Sequence, residues 1–468
     1  MKIKNILYIS TAIILATASC KPTLTDYAPS KGKANFTKYV AVGDAVSAGM
    51  QKVALSREFQ EYSFPKMLAQ QFALVGMKGE FKQPLLPEGS DMSLGVAPNG
   101  TPSPGAAFII GNDCLGDQNI DVDFWKEYSY VNDLQKIIKI ISPINNDGPF
   151  NNLSVSGAKS YHLVDQNYGV IQDVVTDLFS GAGVESSNPL YFRITGGAQK
   201  SIVDLACEQK PTFFTICMCM YDWTGYAFAG NYGMLRECTP PAKFDAAMTE
   251  TVRRLVEENN AKGAITNVSD VADCGAFNYI FYNELKVKSQ ADADRWNAAY
   301  SNMHFEVGDH NNFVVQDPSA PHGMRQLKSG ELILGLIHMN QIRCEKFGSP
   351  DNPFKDENVM DENEISIVNA DVAAYNQTIA RLAEQYGLAL VDMNKLAKDI
   401  RKGMYYQGVK FSAVPATGFF YNIDGTHPST QGNVIVANTF IEAINKKYSS
   451  AIPQLNIASY PPLTIPSR

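Results

Sequence analysis

Two short stretches of the sequence carry side chains whose types and spacing suit acid–base and acyl-transfer chemistry. In YVAVGDAVSAGM, a short buried strand runs into Gly43 and Asp44 and then into a small-residue turn that opens a helix. A strand-to-helix turn of this kind usually presents a reactive side chain, yet here that side chain is Ala45. In NIDGTHP, Asp424 precedes His427 by three residues. Such a pair either supplies an imidazole base oriented by a carboxylate or only stabilises its own turn.

The segments that must position these residues alternate between strand and helix. Strand patterns are found in the apolar runs KYVAV, PTFFTICMCMYD, AITNVSD and LALVDM. Helical spacing of apolar residues is found in SFPKMLAQQFALVG, QKSIVDLACEQK, KFDAAMTETVRRLVEENNAKG, DVAAYNQTIARLAEQYG and TQGNVIVANTFIEAINKKY. This alternation predicts an α/β fold in which helices cover both faces of a parallel sheet.

Two long stretches interrupt the alternation. Residues from about 76 to 150 and from about 276 to 366 are rich in Gly, Pro, Asn and Asp and have only short helical patterns. Loops of this length are usually functional covers or peripheral insertions, so we expect both to decorate one rim of the sheet. The acidic run DENVMDENEIS near Asp361 is interpreted as a solvated loop.

Four stretches occur in an order that resembles a known enzyme family. They are VGDAVSAG, NNLSVSGAKSYHL, PTFFTICMCMYDWTGYA and YNIDGTHPSTQGNVIVAN. In order and relative position they resemble the four blocks of the SGNH/GDSL hydrolases, in particular a lipoprotein branch of that family in Bacteroidetes. RQLKSGELIL and SYPPLTIPS extend the resemblance over nearly the whole mature chain. The resemblance implies a three-layer α/β/α, flavodoxin-like fold and a lipase or esterase ancestry.

The resemblance implies that part of the catalytic set is retained. The second block of the family supplies a glycine whose N–H helps to bind the oxyanion, and this chain has Gly157 there. The last block supplies a histidine base and an aspartate that orients it, matched by His427 and Asp424. In the first block the aspartate is matched by Asp44, which would hold backbone groups of its turn whether or not catalysis occurs.

The first and third blocks have changed at four positions. The nucleophilic serine of the family corresponds to Ala45, and the family's Gly-Asn-Asn-Asp reads Cys-Met-Tyr-Asp, which places Tyr221 where an oxyanion-binding Asn is expected and Asp222 after it. Loss of a nucleophile costs about a million-fold in turnover, and loss of one oxyanion donor about 100- to 1000-fold. We therefore expect a catalytically impaired pseudo-esterase that retains a cleft lined by Asp44, Gly157, Tyr221 and Asp222.

An active ester hydrolase with a substitute nucleophile, or with a water activated by His427, is the alternative hypothesis. Ser47 lies two residues after Ala45, which rotates its side chain by about 200° away from the former nucleophile direction, and a helix-opening hydroxyl commonly caps backbone N–H groups. Cys219 could act as a thiolate near His427, although a small buried side chain is its ordinary role. Tyr221 could replace the lost oxyanion donor or simply fill the space left by Asn.

The first twenty residues predict export. Lys2 and Lys4 precede an apolar run over residues 6–18, and small residues precede Cys20. This resembles a bacterial lipobox in which Cys20 is lipidated; a plain secretory peptide is the other interpretation. We expect residues 21–36 to form a polar tether and residues 37–468 one domain with the two insertions. The mature protein would be anchored to the outer membrane, facing either the periplasm or the surface.

Composition narrows the partners and cofactors. The chain has 468 residues and a net charge of −8, without a local cluster of Lys and Arg, so nucleic acid is not an expected partner. Seven cysteines follow Cys20, and this odd number suggests buried thiols with one disulfide. No C-x-x-C pair, P-loop or G-x-G-x-x-G follows a strand, so we expect no metal or cofactor. A small acylated ligand, such as a glycan or lipid ester, remains the expected partner.

Overall fold

Four parallel strands form the central sheet. The computed structural model describes residues 28–52, 54–89, 91–92, 107–112, 114, 118–123, 134–171, 187–218, 220–228, 237–335 and 337–464. The strands pair in chain order as β1 (Tyr39–Gly43), β2 (Phe213–Cys217), β3 (Lys262–Thr266) and β4 (Ala389–Val391). All three ladders of this sheet are parallel and have no register shift. Tyr39 lies opposite Phe213 at the start of the first ladder, and Val391 lies opposite Thr266 at the end of the last. All carboxyl ends of the sheet therefore lie at one edge.

Helices connect these strands and follow the last of them. They are α1 (Ala45–Ala48), α2 (Arg57–Glu61), α3 (Phe64–Ala73), α4 (Leu134–Ile141), α5 (Pro189–Thr195), α6 (Ile202–Glu208), α7 (Tyr221–Ala227), α8 (Pro241–Arg253), α9 (Gln290–Ala299), α10 (Met339–Cys344), α11 (Glu362–Gln385), α12 (Met393–Lys402) and α13 (Thr430–Tyr448). Among the described helices, none has both the length and the apolar character needed to cross a membrane.

The sheet is buried on both faces because successive residues of each strand point to opposite sides. In β1, Val40 and Val42 belong to one core, which contains the apolar faces of α6, α8 and α11. Tyr39 and Ala41 belong to a second core, which contains those of α3, α12 and α13. The predicted parallel sheet with helices on both faces is confirmed.

An irregular segment extends the sheet beyond β1. Residues 151–155 run parallel to it, and Ala41 N–H donates to Asn151 O at 2.8 Å while Leu153 N–H donates to Ala41 O at 2.8 Å. Val155 N–H then donates to Gly43 O at 3.0 Å. This pairing brings the NNLSVSG stretch to the same edge as the turn after β1.

The second insertion has a hydrophobic core of its own. Fifteen buried residues between Ile280 and Val359 form this core, with Trp296, Phe305, Phe313 and Phe354 among them. Short antiparallel ladders surround it, namely Leu285–Val287 with Gly308–Asn311 and Val314–Gln316 with Met324–Gln326. A third ladder pairs Leu332–Ile333 with Val359–Met360. Hairpins without long apolar runs gave no sequence signal for a packed unit.

Two sequence expectations need correction at element boundaries. The acidic run is not a solvated loop: Asp361 caps α11, and its carboxylate accepts from Glu364 N–H at 2.9 Å while Glu364 accepts from Asp361 N–H at 2.9 Å. This reciprocal capping box is the reason the helix begins ahead of the predicted pattern. The tether also ends earlier than residue 36, because Ala34 and Phe36 are buried in the second core.

One disulfide joins the two insertions. Cys114, at the hairpin formed by Ala107–Asn112 and Gln118–Asp123, is bonded to Cys344 at the end of α10. Cys207, Cys217, Cys238 and Cys274 are free thiols. Among the described cysteines, the expectation of one disulfide is confirmed, and that of buried thiols holds for Cys217, Cys238 and Cys274 but not for Cys207, which is half-buried. Cys20, the signal segment 1–20 and Cys219 lie outside the described residues.

Candidate functional site

Asp44 shapes the turn between β1 and α1. It caps the helix, accepting from Val46 N–H at 3.1 Å, and its other carboxylate oxygen accepts from Met220 N–H at 3.2 Å. Asp44 is fully buried. The carboxylate therefore holds the first and third chain segments together, as expected for a residue that bonds backbone groups.

Ala45 is the first residue of α1 and is 0% exposed. Its methyl group offers no lone pair and no transferable proton. The position that follows the strand is thus occupied by a side chain that cannot act as a nucleophile or hydrogen-bond donor.

Asp424 and His427 form a buried pair in the turn before α13. His427 Nδ1 lies 2.8 Å from Asp424 Oδ2, and Asp424 Oδ1 accepts from the N–H groups of Thr426 and His427 at 2.9 and 3.0 Å. Burial alone would raise the pKa of Asp424, but the charge of His427 and these hydrogen bonds outweigh it and hold the pKa below its usual value. An ionised carboxylate only accepts, so Nδ1 carries a proton, and in the neutral imidazole Nε2 presents a lone pair.

His427 Nε2 is buried and has no hydrogen-bond partner within the described part of the chain. The residue is 3% exposed. A buried acceptor left unsatisfied costs about 1–3 kcal/mol. The pair is therefore complete on the carboxylate side and open on the side where a base would take a proton.

Gly157 lies two residues after the segment that pairs with β1. Its φ of +88° is in the left-handed region, which a residue with a Cβ adopts only at a cost. Its N–H donates to no acceptor in the part of the chain described here. The backbone donor implied by the resemblance is therefore present and unused.

The second and third segments meet at Met50. Ser156 Oγ donates to Met50 Sδ at 3.0 Å, and Tyr221 Oη donates to the same sulfur at 3.9 Å. Tyr221 is half-buried at the start of α7. Its hydroxyl thus lies close to Ser156, the neighbour of Gly157.

The fourth segment contacts the first through amide side chains. Asn422 Nδ2 donates to Gln51 Oε1 at 3.0 Å, and Gln51 Nε2 reaches Thr430 Oγ1 at 3.5 Å. Asn422 N–H also donates to His427 O at 2.8 Å. The turn that carries the histidine is therefore tied to the residue just beyond α1, and all four segments converge on Met50 and Gln51.

Asp222 is held inside the fold. Its carboxylate accepts from Ser160 N–H at 3.1 Å and from Ser160 Oγ–H at 2.8 Å. Burial raises the pKa of Asp222, and the hydrogen bonds from Ser160 oppose that rise. These contacts make Asp222 a positioning residue that joins α7 to the 3₁₀ turn Ser160–Leu163.

The structure does not place Ser47 as a substitute nucleophile. Its Oγ is buried without a hydrogen-bond partner among the described residues, while His427 Nε2 is also unpartnered, so the two do not interact. A Cβ built on Gly43 would meet Ser47 Oγ and Cys217 O, which places the hydroxyl against the strand ends. Ser47 caps no backbone group either, because Asp44 is the cap.

A segment that the sequence did not single out packs behind the histidine turn. Cys274 Sγ donates to Gly425 O at 3.6 Å, and burial raises the pKa of this thiol to about 12. A Cβ on Gly275 would lie 2.7 Å from Gly425 O, and one on Gly425 would lie 2.7 Å from Ala276 N. Cys274 and Gly275 thus begin the second insertion and buttress the turn at the same time.

Met50, Gln51, Ser156 and Asn422 are the other site residues that sequence reasoning missed. Of these, only Ser156 could have been identified from the sequence, because it lies beside Gly157. The other three join the site through contacts that depend on the fold. No group of three His, Cys, Asp or Glu side chains able to hold a metal ion occurs among the described residues.

Family models and curated protein sequences were compared with the chain. No family model matches the chain, and no curated protein has a significantly similar sequence. The arguments for function therefore come from the residues and their geometry.

Proposed function

We propose that the protein is an SGNH/GDSL-hydrolase-like lipoprotein whose esterase activity is impaired and whose cleft still binds a small acylated ligand. The observation that carries this proposal is the Asp424–His427 pair, intact and buried, with Nε2 unpartnered. A pair that only stabilised its turn would have no need for an open, desolvated acceptor. The pair is combined with Ala45, which cannot attack a carbonyl carbon.

The geometry also indicates the chemistry of the ligand. Nε2 accepts a hydrogen bond, so a ligand hydroxyl satisfies it, and the Gly157 N–H donates to a carbonyl or anionic oxygen. A partly acylated glycan or a lipid ester carries both groups. Such a contact is favourable because it gives a hydrogen-bond partner to Nε2, which is otherwise a buried acceptor without one in the described chain.

The decisive experiment compares hydrolysis with binding. We expect the purified protein to turn over a short-chain nitrophenyl ester at a rate no more than about 10³- to 10⁴-fold above water, the level that pocket and backbone donors provide without a nucleophile. A fluorophosphonate probe should form no covalent adduct. Acetylated polysaccharides should bind without release of acetate, and His427→Gln should weaken binding.

The second candidate function is hydrolysis by a water that His427 activates. The same unpartnered Nε2 favours it, because a desolvated imidazole paired with a carboxylate is a competent general base. Turnover well above the level of the buffer that disappears in His427→Ala, with no fluorophosphonate adduct, would establish this function. Turnover that disappears with iodoacetamide would instead indicate a cysteine, with Cys219 first to be tested.

We further propose that export and lipidation at Cys20 anchor the protein to the outer membrane. The support is the sequence of residues 1–20. Cells that express the chain should incorporate labelled palmitate into it, and Cys20→Ser should abolish the label. A chain that is exported but unlabelled would indicate a plain secretory peptide.

A further inference from the structure

Lysines gather at the amino ends of the strands, the end of the sheet opposite the candidate site. Eight exposed lysines lie there, namely Lys31, Lys33, Lys38, Lys78, Lys210, Lys262, Lys446 and Lys447. They come from six separate parts of the chain.

Three of these lysines cluster around Thr212. Lys38 directly precedes β1, and its N–H donates to Thr212 Oγ1 at 2.8 Å. Lys262 is the first residue of β3, and its N–H donates to Thr212 O at 3.2 Å. Lys210 lies two residues before Thr212. All three therefore lie where the strands begin.

The other lysines are joined to these through the N-terminal segment and the end of α13. Lys33 N–H donates to Tyr448 O at 2.7 Å. Lys262 Nζ donates to Lys33 O. Lys446 and Lys447 form the last turn of α13, directly before Tyr448. Lys31 is two residues from Lys33.

Lys78 completes the surface on the other side of β1, since its N–H donates to Thr37 O at 3.0 Å. Leu74, at the end of α3 and four residues earlier, is 58% exposed. An exposed leucine beside lysines is the composition of a surface that enters a lipid headgroup region.

Within the described ranges, the charges of this surface are not paired with carboxylates. None of the eight lysines forms an ion pair with a carboxylate of the described residues. Five glutamates are exposed at the same end, namely Glu80, Glu208, Glu257, Glu258 and Glu384. Lys200 pairs with Glu208, and Arg253 pairs with Glu257 and Glu258, so the eight lysines remain in excess. Such an excess is notable on a chain whose net charge is −8.

The polypeptide reaches this surface from the N-terminal side. Ser30 and Ala451 exchange backbone hydrogen bonds of 3.2 and 2.7 Å, so the first described residues lie at the same end as the lysines. Residues 21–27 alone separate Cys20 from Ala28, and seven extended residues span at most about 25 Å. A lipid at Cys20 would therefore hold this end close to a bilayer.

We propose that this basic end, defined by the eight lysines and Leu74, docks on the anionic lipid headgroups of the membrane that carries the N-terminal anchor. The proposal rests on the anchoring proposed above but not on the state of the catalytic residues. A polybasic surface is attracted to anionic headgroups by each lysine near the membrane, and on an anchored protein this attraction fixes the orientation. Because the candidate site lies at the carboxyl ends of the strands, docking points the site away from the bilayer.

Lysine footprinting of the full-length, anchored protein tests the orientation. The protein is reconstituted in phosphatidylcholine vesicles with or without phosphatidylglycerol and treated with an acetylating reagent, and modification is measured by mass spectrometry. On anionic vesicles we expect Lys33, Lys262 and Lys446 to react at least about fivefold more slowly than on neutral ones, with the protection lost at high salt. Lys288 and Lys328, in the second insertion, should react equally on both.

Two matched variants distinguish an effect of the charge on the basic end from an effect of the net charge of the whole protein. Lys33→Gln/Lys262→Gln/Lys446→Gln/Lys447→Gln should lower the preference for anionic over neutral vesicles at least about tenfold. Lys286→Gln/Lys288→Gln/Lys328→Gln/Lys355→Gln removes the same charge from the second insertion and should leave the preference unchanged. Equal footprints on the two vesicles, or equal losses in the two variants, would overturn the proposal. Protection by a soluble anionic polysaccharide but not by vesicles would assign the surface to a different partner. Neither result bears on ester hydrolysis.

Discussion

At the scale of single residues, the candidate site is a buried carboxylate–imidazole pair. Asp424 fixes the tautomer of His427, and Nε2 is buried without a partner in the described chain. The resemblance of the sequence to the SGNH/GDSL hydrolases, on which the proposed function rests, implies a serine at the position of Ala45 and an asparagine at that of Tyr221. The residue-scale predictions follow from restoring or breaking these groups.

Restoring both groups should restore chemistry. Ala45→Ser with Tyr221→Asn supplies a nucleophile to an imidazole already oriented by a carboxylate, and an amide donor to the oxyanion. We expect nitrophenyl-ester hydrolysis at least about 100-fold above wild type, together with a fluorophosphonate adduct at position 45. Adding His427→Ala should remove both. A folded, inactive double variant would mean that the residues around Met220 have moved away from a competent geometry.

The pH dependence of stability should report the Asp424 carboxylate. Its pKa is lower in the folded chain than the value of about 3.9 for an unfolded chain. Its contribution is therefore fully present above pH ~4 and is lost as the pH falls through the folded-state pKa. Urea unfolding should show Asp424→Asn destabilised by about 1–3 kcal/mol at neutral pH, with a smaller gap at pH ~3. A gap that stays constant with pH would contradict this assignment.

At the scale of elements, the site depends on short segments that deliver one backbone group each. Residues 151–155 pair along β1 and leave Gly157 at φ +88°. Sequence reasoning identified this glycine through its block, and it identified the helices and strands through their apolar periodicity. It could not identify the pairing along β1, because that segment has no strand-like run and its hydrogen bonds depend on a partner far away in sequence.

Gly157→Ala tests whether the Gly157 N–H acts as an oxyanion donor. The substitution forces a Cβ into the left-handed region and should cost about 1–3 kcal/mol. In the background of Ala45→Ser with Tyr221→Asn, we expect it to lower kcat as well, because the N–H shifts away from the oxyanion. Gly79→Ala is the matched control: its φ is +77° with nothing within 4 Å of a built Cβ. It should cost similar stability and leave kcat unchanged; equal losses of kcat would remove the role of Gly157.

Boundaries show where local patterns mislead. The run around Asp361 was expected to be a loop because it is acidic, but a carboxylate at the first turn of a helix is favourable, and the Asp361–Glu364 box uses it. Ser47 was expected to cap α1, but the preceding Asp44 has the same capacity and takes that place. In both cases the sequence contains residues able to cap a helix, and tertiary contacts decide which of the neighbouring residues becomes the cap.

At the scale of the whole molecule, the disulfide Cys114–Cys344 closes 230 residues of chain and joins the two insertions. A crosslink of this span limits the unfolded ensemble, so Cys114→Ser with Cys344→Ser should lower stability by about 2–5 kcal/mol. Thermal unfolding with and without reductant measures this. Cys207→Ser, at a half-buried free thiol, is the control and should be nearly neutral. An unchanged Tm in the double variant would show that the insertions hold together without the bond.

Global properties were the hardest to predict. The lysines of the basic end are scattered from Lys31 to Lys447, so no window of the sequence contains a cluster. The fold collects them because amino ends of parallel strands and carboxyl ends of the flanking helices meet at one edge. The core of the second insertion was missed for a similar reason: its members become neighbours only after several hairpins have formed.

The contact between Ala276 and Gly425 has a consequence for building chimeras. A Cβ at Gly275 or Gly425 would collide with the backbone of the opposing segment, so the two strips of chain fit only each other. A chimera whose junction lies between these two segments would combine segments from different parents, and their backbones would not fit together. Swapped modules taken from another parent should therefore begin before Val271, so that the histidine turn and its buttress are inherited together.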